Sequence, residues 1–418
     1  MMVGAFVLAS AAGGAELAGF SLNGFLDGRA GIRTQADPHE PDGALGELRA
    51  QLSAERIGDA YTATLVADLL YDQIVTSHEV DLETGRGWLD LREANLLFTP
   101  TSFADVKLGR QVLTWGVGDM LFINDLFPKD WQSFFGGRDT DYLKAPSDAA
   151  LLSLYPGPVD IDLVYTPRFD ADRYIDGSRN SYWNPMLGRR AGRDAIADPI
   201  RPDECFTDDE FAVRLRRTLD GYELAAYGYY GFWKSPEGFE AEAMRATFPP
   251  LSVYGASVRG ALAGGLLSLE TGHYDSRDDR GGGDPGIPNS QQRGLVGYER
   301  EIARDLQMGV QYYVEYMFDY DTYRGALPPG QTARDEARQV VTLRLTKLVL
   351  GQTLTLSLFG YFSPTDQDAY LRPSAAYKAS DNLLLEAGAQ GFTGRRPDTF
   401  FGQFENDSSV YAAVRYSF

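Results

Sequence analysis

The chain has 418 residues, with 59 acidic against 39 basic side chains and a formal charge of −20. That balance lacks the basic face of a nucleic-acid binder. The single cysteine, Cys205, rules out an intramolecular disulfide, and the three histidines show no zinc-ligand spacing. Gly (45), Tyr (24) and Phe (23) are abundant, and no run of roughly 18 apolar residues offers a membrane helix.

Residues 1–18, MMVGAFVLASAAGGAELA, read as the remnant of a secretory signal with a small-residue cleavage zone, although no Lys or Arg precedes Arg29. From residue 19 onward the dominant period is two. Leu22, Leu26, Ala30 and Ile32 alternate with Asn23, Asp27, Arg29 and Arg33. Leu306, Met308, Val310, Tyr312 and Val314 alternate with Gln307, Gln311 and Glu315. These stretches run to about 10–14 residues, longer than a soluble sandwich needs and enough for a strand tilted across a bilayer.

Short turns at Gly58-Asp59, Pro156-Gly157, Asp220-Gly221, 263–265, 303–305, 350–352 and 380–382 alternate with long polar loops. The expected fold is all-β: a single transmembrane antiparallel barrel over 19–418, with about 18 strands and long external loops. Loss of the hairpin around Leu152 and Leu163 would give about 16 strands. Tyr71, Tyr165, Tyr222, Tyr230, Tyr274, Tyr312 and Tyr316 are candidates for aromatic girdles, or are simply good strand formers.

The C-terminus, SSVYAAVRYSF, resembles the last strand of a Gram-negative outer-membrane protein, which ends in an aromatic residue, here Phe418. The stretch from Asp90 to Pro156 holds LDLREANLLF, LGRQVLTWG and NDLFPKDW. It is similar to a porin-like group of outer-membrane proteins with a GRQ…WG…NP-D core, although Asp125 to Pro128 replaces the shorter Asn-Pro step of that group. The resemblance implies an outer-membrane location, lipid and lipopolysaccharide as surroundings, and reading of Phe418 by the barrel-assembly machinery. It also implies transport, including of hydrophobic compounds, and supplies no catalytic residue.

On these strand phases the water-facing wall carries Arg29, Arg49, Asp68, Asp90, Arg92, Arg214, Arg216, Arg259, Arg344 and Arg415, with Asp27, Arg33, Glu55, Lys107, Glu270, Arg372 and Glu386. Charge placed toward lipid would cost several kcal/mol, so the lumen is its expected place. Two roles compete for it: neutralising anions in transit, or forming ion pairs that stiffen the barrel. At Glu93 the alternation slips. A bulge between Leu91 and Ala94 would turn Glu93 into the lumen, facing Arg110.

The segment 116–145 is too aromatic to sit in water. It is expected to fold inward as a constriction built on Asp119, Phe122, Phe127, Lys129, Trp131, Phe134 and Arg138, with an external patch as the alternative. The acidic loop 169–209 is expected to be a solvated external surface, without the spacing of a calcium loop. No Gly-x-Ser-x-Gly, His-Glu-x-x-His or phosphate loop is present. His273, Asp275 and Ser276 are neighbours by composition only.

The expected function is therefore an outer-membrane channel or porin-like transporter, not an enzyme. It would pass small solutes, including anionic or carboxylate-bearing ones, without cofactor or metal. The alternatives are a conduit for hydrophobic compounds and a scaffold barrel without an open pore. A homo-oligomer or a periplasmic transport partner fits either reading.

Overall fold

A computed structural model describes residues 15–17, 19–76, 79–329 and 331–418. The remainder of the expected signal segment and His78 lie outside the described residues. Alternating apolar and polar residues have one stable arrangement here, a sheet whose edges meet. The strands are β1 (Phe20–Arg33), β2 (Gly43–Ile57), β3 (Tyr61–Asp72), β4 (Leu89–Thr101), β5 (Ala104–Val112), β6 (Pro146–Leu154), β7 (Asp160–Thr166), β8 (Glu210–Leu219) and β9 (Tyr222–Phe232). The second half comprises β10 (Pro250–Leu262), β11 (Gly265–Ser276), β12 (Gln291–Ala303), β13 (Leu306–Met317), β14 (Ala337–Val349), β15 (Leu354–Ser363), β16 (Asp368–Lys378), β17 (Leu383–Gly394) and β18 (Ser409–Ser417). Each pairs antiparallel with the next, and β1 pairs with β18 from Phe25 opposite Ser417 to Arg33 opposite Ser409. The barrel is closed, with about 18 strands, and the short strand Ala15–Leu17 pairs with the start of β1.

Connections of two to five residues lie at one end with both termini, and the long loops lie at the other, together with the four-residue connection 364–367 between β15 and β16. The tight turns have the chemistry their geometry requires. Asp220 (φ 50°) and Gly221 (φ 82°) both take positive φ, as a two-residue hairpin matching the strand twist demands. Leu26, Ile32, Leu48, Leu52, Val310, Leu371 and Val414 are exposed on the outer face, whereas Asp27, Arg29, Arg33, Arg49 and Asp68 are buried inside. The outer surface is the apolar one.

Two local expectations are corrected. Tyr274 is not on the girdle. It is 1% exposed inside the barrel and donates its hydroxyl to the Ile123 carbonyl at 2.6 Å, because β11 places Glu270, Gly272 and Tyr274 on the inward phase. Tyr71, Tyr230, Tyr312 and Tyr316 do face outward and are exposed. The bulge forms at Arg92, where Val66 opposes Glu93 and Ala67 opposes Leu91. Glu93 turns inward, but its partners are Asn95 (3.0 Å) and Lys107 (3.6 Å) rather than Arg110. Arg110 lies on the outer phase near the long-loop end and donates to Asp148 at 2.8 Å.

The seam depends on Gly24. It exchanges backbone hydrogen bonds with Phe418 at 3.0 and 2.9 Å, and a Cβ there would stand 2.4 Å from the Gln51 carbonyl oxygen and 2.7 Å from the Phe418 ring. Gly24→Val should therefore weaken closure. The expected readout is a lower temperature for loss of the compact, heat-modifiable form on detergent gels, with Gly325→Ala, where a Cβ meets open space, shifting it less.

Candidate functional site: an inward loop clamped across the lumen

Between β5 and β6 the chain leaves the wall and crosses the interior. Residues 113–145 contain two short helices, each capped by an aspartate. Trp131–Phe135 starts at Asp130, which accepts from the Ser133 N–H at 2.7 Å, and Thr140–Leu143 starts at Asp139. Caps hold so short a segment where its own hydrogen bonds do not.

The wall grips this loop at many points. On β11 the Glu270 carboxylate accepts N–H donors from Val117 (3.0 Å), Gly118 (3.0 Å) and Asn124 (2.9 Å), and from the Asn124 side chain (2.9 Å). Arg344 on β14 pairs with Asp119 at 2.7 Å. Arg29 on β1 donates to the Gly137 carbonyl at 3.0 Å, and Arg372 on β16 to that of Phe134 at 3.2 Å. Arg138 forks onto Glu47 of β2 at 2.6–3.1 Å, and Asp139 accepts from Arg415 of β18 at 2.9 Å. Tyr142 donates to Asp68 at 2.8 Å, with the guanidiniums of Arg49 and Arg92 over its ring at 4.3 and 4.9 Å.

Apolar packing completes the clamp. Phe134 is fully buried against Phe135 and Tyr370, and Phe135 packs on Phe392 and Phe404, with centroids 5.1–5.6 Å apart. Phe127 meets Trp115 edge to face at 4.9 Å, and Phe122 carries the Lys129 ammonium over its ring at 4.7 Å. Lys129 also pairs with Asp125 at 3.1 Å, and burial lowers its pKa.

The loop 169–209 departs from expectation. Its first third is not a solvated surface but lies beneath the mouth with Asp170, Asp172, Asp176, Arg173 and Arg179 buried. Arg173 pairs with Asp90 (2.8 Å) and Asp130 (3.3 Å), and Arg179 with Glu47 (2.9 Å). Asp172 accepts from the Lys129 N–H (2.7 Å) and the Trp131 indole (3.1 Å). The acidic composition is matched by buried donors, so the segment docks rather than extends. Glu47, on the phase of Arg49, was recognisable from periodicity. Arg173 and Arg179, in an irregular loop, carried no such signal.

The remaining candidates lie on the wall, where the Arg214 guanidinium stands over the Trp115 ring at 5.2 Å. Arg214 pairs with Asp162 at 2.6 Å and Arg216 with Asp160 at 3.2 Å, each directly across from its partner on β7. Arg259 is exposed to the lumen and makes no ion pair among the described residues. Cys205 is exposed in the long loop. Among the described residues no group of three His, Cys, Asp or Glu is placed to hold a metal.

The chain matches no family model and no curated protein. Among solved structures it is similar to Acinetobacter baumannii OccAB3, with 12% identity, a TM-score of 0.55, and 96% of this chain and 100% of that one covered. It is also similar to Pseudomonas aeruginosa OccD3 (OpdP), with 11%, 0.54, 98% and 93%, and to OccK9 (OpdG) of the same organism, with 11%, 0.54, 96% and 97%. The likeness is one of fold, a porin-like barrel.

Two predictions follow from the clamp. Glu47→Ala leaves the buried Arg138 and Arg179 with Asp72 as their one shared carboxylate, a loss of up to about 3–5 kcal/mol; it should lower the barrel's thermal transition more than Glu47→Gln. Docking of residues 169–182 should also depend on pH. Burial next to Glu210 raises Asp170 to about 7, and burial raises Asp407, which accepts from the Ser181 N–H at 3.2 Å, to about 8. Both folded values exceed the usual carboxylate range, so protonation favours docking. Its contribution is full below about pH 4 and fades as pH rises through 7–8. Protease cleavage within 169–182 should speed up over that window, and Asp170→Asn with Asp407→Asn should flatten the profile.

Proposed function

We propose that the protein is an outer-membrane channel for small charged solutes, including those bearing a carboxylate. The observation that carries this reading is a closed barrel with apolar residues outside and ionised side chains inside. A lipid-facing exterior and a wet interior are the conditions under which that arrangement is stable. Its likeness in fold to porins supports the same reading. In this reading the long loops face outward, both termini face the periplasm, Phe418 is the residue read during assembly, and 113–145 sets the width of the passage.

Most lumenal arginines are already engaged by carboxylates or carbonyls, so they serve chiefly to hold the loop. The groups a solute carboxylate can meet are Arg259, which is unpaired, and Arg216 and Arg344, whose side chains are 34% and 35% exposed beside their aspartates. A second reading, a conduit for hydrophobic compounds, draws on the aromatic cluster around Phe135 and Tyr370. Those rings pack on one another rather than lining an apolar path.

Planar bilayers test the channel reading: stepwise conductance is expected, and deletion of residues 122–137 should raise it while the barrel still assembles. A silent barrel that retains a bound apolar compound would favour the conduit. Orientation is tested on Cys205, which should react with an impermeant thiol reagent in intact cells; reaction only after outer-membrane disruption would reverse the sidedness.

A further inference from the structure

The clamped loop engages β1–β4, β8–β11 and β13–β18, and leaves the short-turn end of the lumen to the wall itself. The inward-facing residues there are charged, and their balance is uneven. Glu55 lies two residues from the end of β2, Asp105 is the second residue of β5, Asp160 the first of β7 and Glu223 the second of β9. Glu299 and Glu301 lie in the last five residues of β12. Cross-strand register places them on the lumenal phase: Asp105 opposes Ser153 and Asp160 opposes Arg216, while Glu223 opposes Arg259 and Glu299 opposes Gly309, which in turn opposes Arg344. Together they form a ring around much of the circumference, not a cluster on one strand.

Arg56, Arg217 and Arg300 at this level lie on the outer phase, and the inward-facing cations do not balance the ring. Lys107 is taken by Glu93 (3.6 Å), Arg216 by Asp160 (3.2 Å), and Lys378 by Asp381 of the adjoining turn (3.1 Å). Glu55, Glu223 and Glu299 make no ion pair and no side-chain hydrogen bond among the described residues. Asp105 accepts only from hydroxyls of Thr99 (2.7 Å) and Tyr155 (3.2 Å), and Glu301 only from the Asp305 N–H (2.8 Å). Arg259, an inward-facing cation that makes no ion pair among the described residues, stands directly across from Glu223. A ring of carboxylates at a pore mouth concentrates cations and repels anions. Arg259 within that field gives a solute carboxylate a contact only if the rest of the solute is tolerated there.

We infer that this carboxylate ring selects solutes carrying an ammonium group, so that zwitterions and cations pass ahead of anions of similar size. The inference rests on the channel reading and narrows its substrate class. A passing zwitterion presents its ammonium to Glu223, Glu299 or Glu301 and its carboxylate to Arg259, and is held strongly by neither.

The test uses the full-length protein in planar bilayers under a KCl gradient, and in liposomes swollen with lysine, glycine or succinate. The wild type is expected to prefer potassium over chloride by at least about threefold, and to admit lysine and glycine faster than succinate. The quadruple variant Glu55→Gln, Glu223→Gln, Glu299→Gln and Glu301→Gln should bring the ion preference close to unity while single-channel conductance persists. Glu55, Glu299 and Glu301 are exposed and Glu223 is half-buried, and none is part of the loop clamp, so assembly should be kept; Arg259→Gln serves as the opposite-sign control and should strengthen the cation preference. Open steps with a chloride preference, or an ion preference that the quadruple variant leaves unchanged, overturn the inference alone. A folded barrel with neither conductance nor swelling overturns the channel reading and this inference with it.

Discussion

A charge withdrawn from water must find a partner, and that constraint organises the interior. In an open 18-stranded barrel the lumenal arginines would be solvated and need nothing else. Once the loop between β5 and β6 enters the lumen, water is displaced and each guanidinium requires a carboxylate or carbonyl within reach. Glu47, Asp68 and Asp90 meet this need from the wall, and the Gly137 and Phe134 carbonyls meet it from the loop. The loop is therefore part of the solution to a problem it creates.

Glu270 shows the converse. It is the only described wall carboxylate that takes three backbone N–H groups of the loop, and it meets no guanidinium at ion-pair distance. Backbone donors at Val117, Gly118 and Asn124 would otherwise be buried without acceptors. Gly255 and Gly272 on the facing strands make room, since a Cβ at Gly255 would clash with Asn124 and one at Gly272 with Ile123. The loop's path is set jointly by where the wall offers acceptors and where it lacks side chains.

The barrel was legible in the sequence because period two, turn chemistry and loop length are local properties. Leu152 and Leu163 both lie in strands, so the 16-strand alternative falls away. The inward course of 116–145 was signalled by its rings, which water does not favour. What remained hidden was the docking of Phe169 to Tyr182. Aspartates read as surface when each is counted alone; here Asp90, Asp130 and Glu47 lie far away in the chain from the Arg173 and Arg179 they bind. Partnership at long range leaves no period. The same limit applies to Glu93, whose bulge was visible but whose partner was not, because a bulge fixes a direction and leaves the neighbour to the register of the next strand.

The distribution of paired and unpaired charge separates two tasks along one lumen. Toward the long loops the charges are buried and matched, and their energy goes into holding residues 113–145 and 169–182 in place. At the short-turn end Glu55 and Glu299 remain in water and Glu223 is half-buried, all unmatched among the described residues, where they cost little and keep their field. A matched pair presents only a short-ranged dipole to a passing ion, whereas an unmatched charge acts over roughly a Debye length, about 8–10 Å at physiological salt. In the proposed channel, selectivity by charge would therefore belong to the sparsely paired mouth, and selectivity by size to the clamped loop.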